Sequence, residues 1–109
     1  MITFVRTLEF TPDKIAGILS MTRQMKRLLK TRYNVELHAH LPIAGGSPNR
    51  IAFTAIFQSL AEYEALMVRL ADDPDYRRLI GANARNMLAG TTHDELWRDT
   101  CALSEQGGL

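Results

Sequence analysis

Hydrophobic and polar positions change period several times along the chain, and each change marks an element. Over residues 2–10, Ile2, Phe4, Leu8 and Phe10 share one parity in a stretch rich in β-branched and aromatic residues, which predicts a strand. Thr11 and Pro12 then supply an N-cap and a first-turn proline. Beyond them Ile15, Ile18, Leu19, Met25, Leu28 and Leu29 recur at close to helical spacing, opposite Asp13, Lys14, Arg23, Gln24, Lys26, Arg27 and Lys30. That pattern predicts one amphipathic helix over 12–31. Val35, Leu37, Ala39 and Leu41 alternate strictly with Glu36, His38 and His40, the clearest period-2 signal in the chain and a strand over 35–41.

The stretch PIAGGSPN is loop chemistry, and the almost wholly apolar RIAFTAIFQ after it reads as a third strand, expected to pair antiparallel with the second. Ser59 with Glu62 forms a capping box ahead of the stripe Tyr63, Leu66, Met67 and Leu70. Asp72, Asp73 and Pro74 interrupt that stripe, because a residue before proline avoids the helical region. Two short helices are expected, over 60–71 and 75–88, with Gly90 ending the second. The segment TTHDELWRDTCALSEQGGL fits either a capped helix or a strand; a strand over 93–100 completes the pattern. The sum is an α+β, ferredoxin-like βαββαβ chain: a four-stranded antiparallel sheet, helices on one face, the second helix split. The other face of such a sheet is uncovered and asks for a partner.

Composition adds limits. The 109 residues suffice for one domain, expected over 1–100, with a C-terminal tail over 101–109. Thirteen Lys and Arg against twelve Asp and Glu give a net charge of +1, so no long-range basic field draws nucleic acid, and no nucleic-acid partner is expected. The cluster Arg23, Lys26, Arg27, Lys30 and Arg32 reads as the solvated end of a helix. The lone Cys101 excludes an internal disulfide and fits a reducing compartment. Charged residues break up the first twenty positions and no apolar run approaches a membrane span, so a cytoplasmic protein without a membrane partner is expected.

His38 and His40 are the candidates for catalysis. Side chains two apart on a strand share a face, and an H-x-H pair beside Glu36 can act as general acid and base near neutral pH. The pair lacks a third ligand at defined spacing, so no metal and no other cofactor is expected. The bland reading makes the same residues a polar stripe on the wet face of the sheet. Arg6 or Glu9 on the first strand and His93 or Arg98 on the last join them if strand parity allows. Arg6, Glu36, Tyr63 and Trp97 are the candidates for ligand contact, although Tyr63, Tyr33 and Trp97 suit a core equally. Gly45-Gly46 reads as a turn, since no phosphate loop opens a helix there, and no serine has a nucleophile-elbow context.

The stretch GGSPNRIAFTAIFQSLAEYEALMVRLADDPDYRRL resembles the central signature of the NIPSNAP-like proteins of the dimeric α/β barrel superfamily. The resemblance is carried by Arg6, Pro12, Asn49, Ser59, Leu60, Asp73, Pro74 and Tyr76, with VRTLEFTPDK and GTTHDELWR where the first and last strands of that family lie. Phe53, Thr54 and Phe57 stand in a strand where the family often has His or Trp, and Asp13 stands where it often has glycine. The resemblance implies a homodimer whose sheets face each other around a barrel, with a small-ligand cavity between sheet and helices or inside the barrel. It also implies relatives among cofactor-independent monooxygenases, isomerases, cyclases and haem-degrading enzymes.

Two functional expectations follow. In the first, the protein binds a small, largely apolar organic molecule and turns it over without a cofactor, with His38 or His40 as the acid and base. In the second, it is a non-catalytic ligand-binding or assembly module of the NIPSNAP type. The residues leave both open.

Overall fold

A computed structural model of the chain describes residues 1–100. Cys101 and the tail expected over 101–109 lie outside the described residues. Four strands, β1 Ile2–Glu9, β2 His38–His40, β3 Arg50–Phe57 and β4 His93–Arg98, alternate with α1 Ile15–Tyr33 and the pair α2 Leu60–Ala71 and α3 Pro74–Ala82. The sheet runs β2-β3-β1-β4, and every neighbouring pair is antiparallel. This is the expected α+β, ferredoxin-like arrangement with a split second helix.

Alternation along the strands sorts the side chains. Ile2, Phe4 and Leu8 of β1 and Ile51, Phe53, Ala55 and Phe57 of β3 are buried on one face, against Ile18, Met21, Met25 and Leu29 of α1 and Leu66 and Leu70 of α2. In the register Phe4↔Ala55, Arg6↔Phe53, Phe4↔Leu96 and Arg6↔Asp94, Arg6 and Asp94 share this helix side. The opposite face carries Thr3, Val5 and Thr7, Ala52, Thr54 and Ile56, His38 and His40, and His93, Glu95 and Trp97. Its large apolar side chains lie open: Ile56 is 60% and Trp97 61% exposed.

β4 ends at Arg98 rather than at 100, and β2, α1 and α3 differ from the sequence pattern for local reasons. β2 covers three residues rather than seven, because α1 takes the backbone groups before it: the Val35 N–H donates to the Leu29 carbonyl at 3.1 Å, and Lys26 Nζ donates to the Leu37 carbonyl at 2.6 Å. α1 starts at Ile15, after a 3-10 turn over Pro12–Lys14, and runs to Tyr33, where Asn34 caps it in the left-handed region at φ 53°. α3 ends at Ala82, where the Asn83 side chain donates to the Leu79 carbonyl at 2.8 Å and a 3-10 turn over Ala84–Asn86 follows.

The break between α2 and α3 is organised by Asp73, which is 5% exposed. Its carboxylate accepts the Asp75 and Tyr76 N–H groups at 2.9 and 3.2 Å as the N-cap of α3. It also accepts two bonds from Arg32 Nη1, at 2.8 and 2.7 Å, and one from the Tyr33 hydroxyl. The end of α1 and the start of α3 are thereby clasped together, which fixes α3 against one side of the sheet. Among the described residues no buried side-chain nitrogen or oxygen is left without a partner.

Candidate functional site

Between the sheet and the helices lies a cavity of about 300 Å³. The strands give it Phe4, Arg6, Leu8 and Phe53, and the helices give Met21, Met25, Met67, Leu70, Tyr76 and Ile80. Leu37, Met87 and Thr92 complete the lining. Four of the five methionines in the sequence are in this wall. Unbranched thioethers re-pack easily, so such a wall adapts to the shape of an apolar guest.

Among the described residues Arg6 is the one charged member of the lining. Its place follows from parity: a strand residue between the buried Phe4 and Leu8 positions must point the same way, into the helix side. Its Nε donates to Asp94 Oδ1 at 2.7 Å and its Nη2 to Asp94 Oδ2 at 2.8 Å, a fork that fixes the guanidinium plane. The guanidinium carbon also lies 5.4 Å from the centre of the Phe4 ring. Asp94 is the main reason the Arg6 charge is held more firmly than usual, with a smaller favourable contribution from Tyr76, against the cost of burial. In return, Arg6 holds the Asp94 carboxyl below its ordinary range. Only two of the five guanidinium donors are engaged by Asp94. Tyr76 adds a further, weaker hydrogen-bonding interaction with the guanidinium.

The other residues singled out from the sequence fall in different places. His38 and His40 are exposed on the open face, opposite Thr54 and Ala52, and His40 Nε2 lies 3.4 Å from Thr54 Oγ1. Glu36 precedes β2 and pairs with Lys30 at 3.2 Å, which lowers the pKa of its carboxyl. Tyr63 packs on the helix side with its ring 5.6 Å from Phe4 and 5.5 Å from Phe57. Trp97 stands on the open face and donates its indole N–H to Glu95 Oε1 at 2.9 Å, while Glu95 Oε2 lies 2.9 Å from His93 Nε2. Parity therefore puts His93 on the face of His38 and His40, but β4 and β2 are opposite edges of the sheet. Arg6 and the two histidines lie on opposite faces, so any proton transfer by His38 or His40 takes place away from the helix-side cavity.

A smaller cavity of about 240 Å³ opens beside the β2–β3 loop and is lined in part by Thr7, His40, Pro42 and Arg50. Among the described residues no three His, Cys, Asp or Glu side chains come together as a metal site. No helix among them is long and apolar enough to cross a membrane. Asp94 and Met87 escaped the sequence reading, and Tyr76 entered it only as part of the Asp-Pro break. Asp94 is identifiable only once β4 is in register with β1.

No family model and no curated protein sequence matches the chain. Solved structures do resemble it. A NIPSNAP family protein of unknown function from Agrobacterium tumefaciens superposes with a TM-score of 0.75 at 18% identity, over 91% of this chain and 87% of that one. An uncharacterised NIPSNAP domain protein from Burkholderia xenovorans gives a TM-score of 0.75 at 17% identity, over 91% and 94% of the two chains. A candidate antibiotic biosynthesis monooxygenase from Deinococcus radiodurans gives 0.70 at 10% identity, over 91% and 92%. The chain therefore has the ferredoxin-like fold that NIPSNAP proteins share with antibiotic biosynthesis monooxygenase-type proteins.

Proposed function

We propose that the protein binds a small, largely apolar organic molecule carrying one acidic oxygen in the cavity between sheet and helices, with Arg6 as the anchor for that oxygen. The observation that carries this reading is a single guanidinium, set by Asp94, in a wall otherwise built mostly from Met, Phe, Leu and Ile side chains. The volume is at the lower end of ligand cavities, about 300 Å³. A charge held in place before the ligand arrives favours an anionic oxygen over a neutral one and stabilises an enolate or phenolate as it forms. Isomerisations, cyclisations and cofactor-independent oxygenations that pass through an enolate or phenolate use such stabilisation, and a non-catalytic carrier would use the same contact for affinity alone. A histidine acid and base belongs to a second reading, in which His40 and Arg50 act in the smaller cavity on the open face.

The open face is the dimer seam of this proposal. Ile56 and Trp97 lie 60% and 61% exposed on a face that also carries Val5 and Ala52, apolar side chains that a partner would cover. A second copy apposed through a two-fold axis covers it. Sedimentation equilibrium at micromolar concentration is expected to give twice the 12.3 kDa chain mass, and a single species of chain mass contradicts the dimer.

The ligand reading is tested by calorimetric titration with 2-naphthoate and its neutral methyl ester. The carboxylate is expected to bind at least ~10-fold more tightly than the ester, with the preference lost in Arg6→Met. Equal affinities in the parent protein, or a preference that survives Arg6→Met, contradict it.

A further inference from the structure

The basic run Arg23, Lys26, Arg27, Lys30 and Arg32 is dispersed by the fold. Lys26 bonds the Leu37 carbonyl, Lys30 pairs with Glu36, and Arg32 pairs with Asp73 and Asp75. Arg27 instead lines a groove of about 570 Å³ between α1 and α3, together with Arg32, Arg78 and Arg85. We propose that this groove is a binding site for a small polyphosphate, a molecule carrying two or more linked phosphoryl groups, with Arg27 and Arg85 as its principal contacts.

Charge in the groove is unbalanced. Among the described residues the lining gathers four arginines around one carboxylate, Asp75. That carboxylate is already shared: Oδ2 lies 2.9 Å from Arg32 Nη2, and Oδ1 lies 3.0 Å from Arg78 Nη1. Arg32 is held further by two bonds to the buried Asp73. Among the described residues no ion pair engages Arg27 or Arg85. Two guanidinium groups are thus fixed by carboxylates and two are left over, Arg27 from α1 and Arg85 from the 3-10 turn after α3. An arginine on a convex helix face is simply solvated, whereas a concave groove with basic side chains on both walls focuses their field on whatever enters it.

The arrangement favours phosphate over carboxylate. A phosphoryl group presents oxygens in several directions, so linked phosphoryl groups can be gripped by guanidinium forks from both walls at once, while a carboxylate presents two oxygens in one plane and suits a single fork. Gln24 and Asn86 also line the groove, and each amide has an N–H beyond the one it donates to Ser20 or Asn83. No strand contributes to this groove, and none of its residues lines the apolar cavity around Arg6. It lies among the helices, which cover the opposite face of the sheet from the open one, so it is accessible in monomer and dimer alike.

Calorimetric titration of the full chain with inorganic tripolyphosphate, orthophosphate and citrate tests the site, at about 0.15 M salt, where charges more than ~8 Å apart are largely screened. Tripolyphosphate is expected to bind saturably and at least ~10-fold more tightly than either orthophosphate or citrate. Arg27→Gln with Arg85→Gln is expected to weaken it at least ~10-fold. Arg23→Gln with Arg77→Gln removes the same charge from exposed positions on α1 and α3 outside the groove, and is expected to change the affinity less than ~2-fold. Far-UV circular dichroism checks that both double variants are folded, and arginine Nε–H spectra of the parent give a readout that needs neither variant to bind: the Arg27 and Arg85 signals are expected to move and the Arg6 signal to stay. No saturable binding, citrate bound as tightly as tripolyphosphate, equal losses in the two double variants, or a response at Arg6 in place of Arg27 and Arg85 overturns the proposal.

Discussion

Arg6 on β1 and Asp94 on β4 stand opposite each other in register and meet through two parallel hydrogen bonds of 2.7 and 2.8 Å. One contact thus ties the edge strand to the centre of the sheet and sets the one charged group that the described residues give the helix-side cavity. Asp94→Asn keeps the shape but removes the charge that fixes the guanidinium. It is expected to weaken 2-naphthoate binding less than Arg6→Met does, and calorimetry of the two variants side by side checks the order.

The same pair has a predicted pH signature. Arg6 depresses the Asp94 carboxyl, so its stabilising effect is complete above the unfolded value of about 3.9 and is lost as pH falls through the lower folded value. The Tm difference between the parent and Asp94→Asn is therefore expected to be constant from pH 5 to 7 and to shrink below about pH 4. Thermal unfolding across that range measures it, and a difference that grows on acidification contradicts the assignment.

Asp73 is expected to matter more than any other acidic residue for stability. Hydrogen bonds from Tyr33, then Arg32, hold its carboxyl far below the ordinary range, and the backbone of α3 adds further donors. Asp73→Asn cannot satisfy all of these, because an amide presents one acceptor oxygen where the carboxylate has two. A lower Tm than in Asp72→Asn, which alters the exposed neighbour, is the expected result at pH 7. By the same sign rule as for Asp94, the gap closes only in strong acid.

In the core, Ile18 is 0% exposed and Val68 65%. Ile18→Ala leaves a cavity and is expected to cost about 2–5 kcal/mol, while Val68→Ala stays within about 0.5 kcal/mol. Urea unfolding of the two variants checks the contrast.

How far the residues announce this structure depends on what each element needs from the rest of the chain. The alternation in β1 and β3, the Ser59 cap and the Asp73-Pro74 break act over a few neighbours, so the element order and the ferredoxin-like fold were legible. The length of β2 was not, because the Val35 and Leu37 backbone groups are claimed by Leu29 and Lys26 of the preceding helix. Arg6 was singled out, but its partner depended on the register of β4, and a one-residue slip there would turn Asp94 to the open face. The methionine wall is assembled from residues as distant as Met21 and Met87, each of which looks like ordinary core in its own segment.

The central claim is that the helix-side cavity takes an acidic apolar ligand, and the methionines provide the most direct measurement of it. With [methyl-¹³C]methionine, Met21, Met25, Met67 and Met87 report from the cavity wall, and the exposed Met1 reports from outside it. Titration with 2-naphthoate is predicted to shift the four cavity methyl resonances together in a saturable way, to leave Met1 unmoved, and to lose the effect in Arg6→Met. Cavity methyls that stay still, or that move no more than Met1, contradict the account.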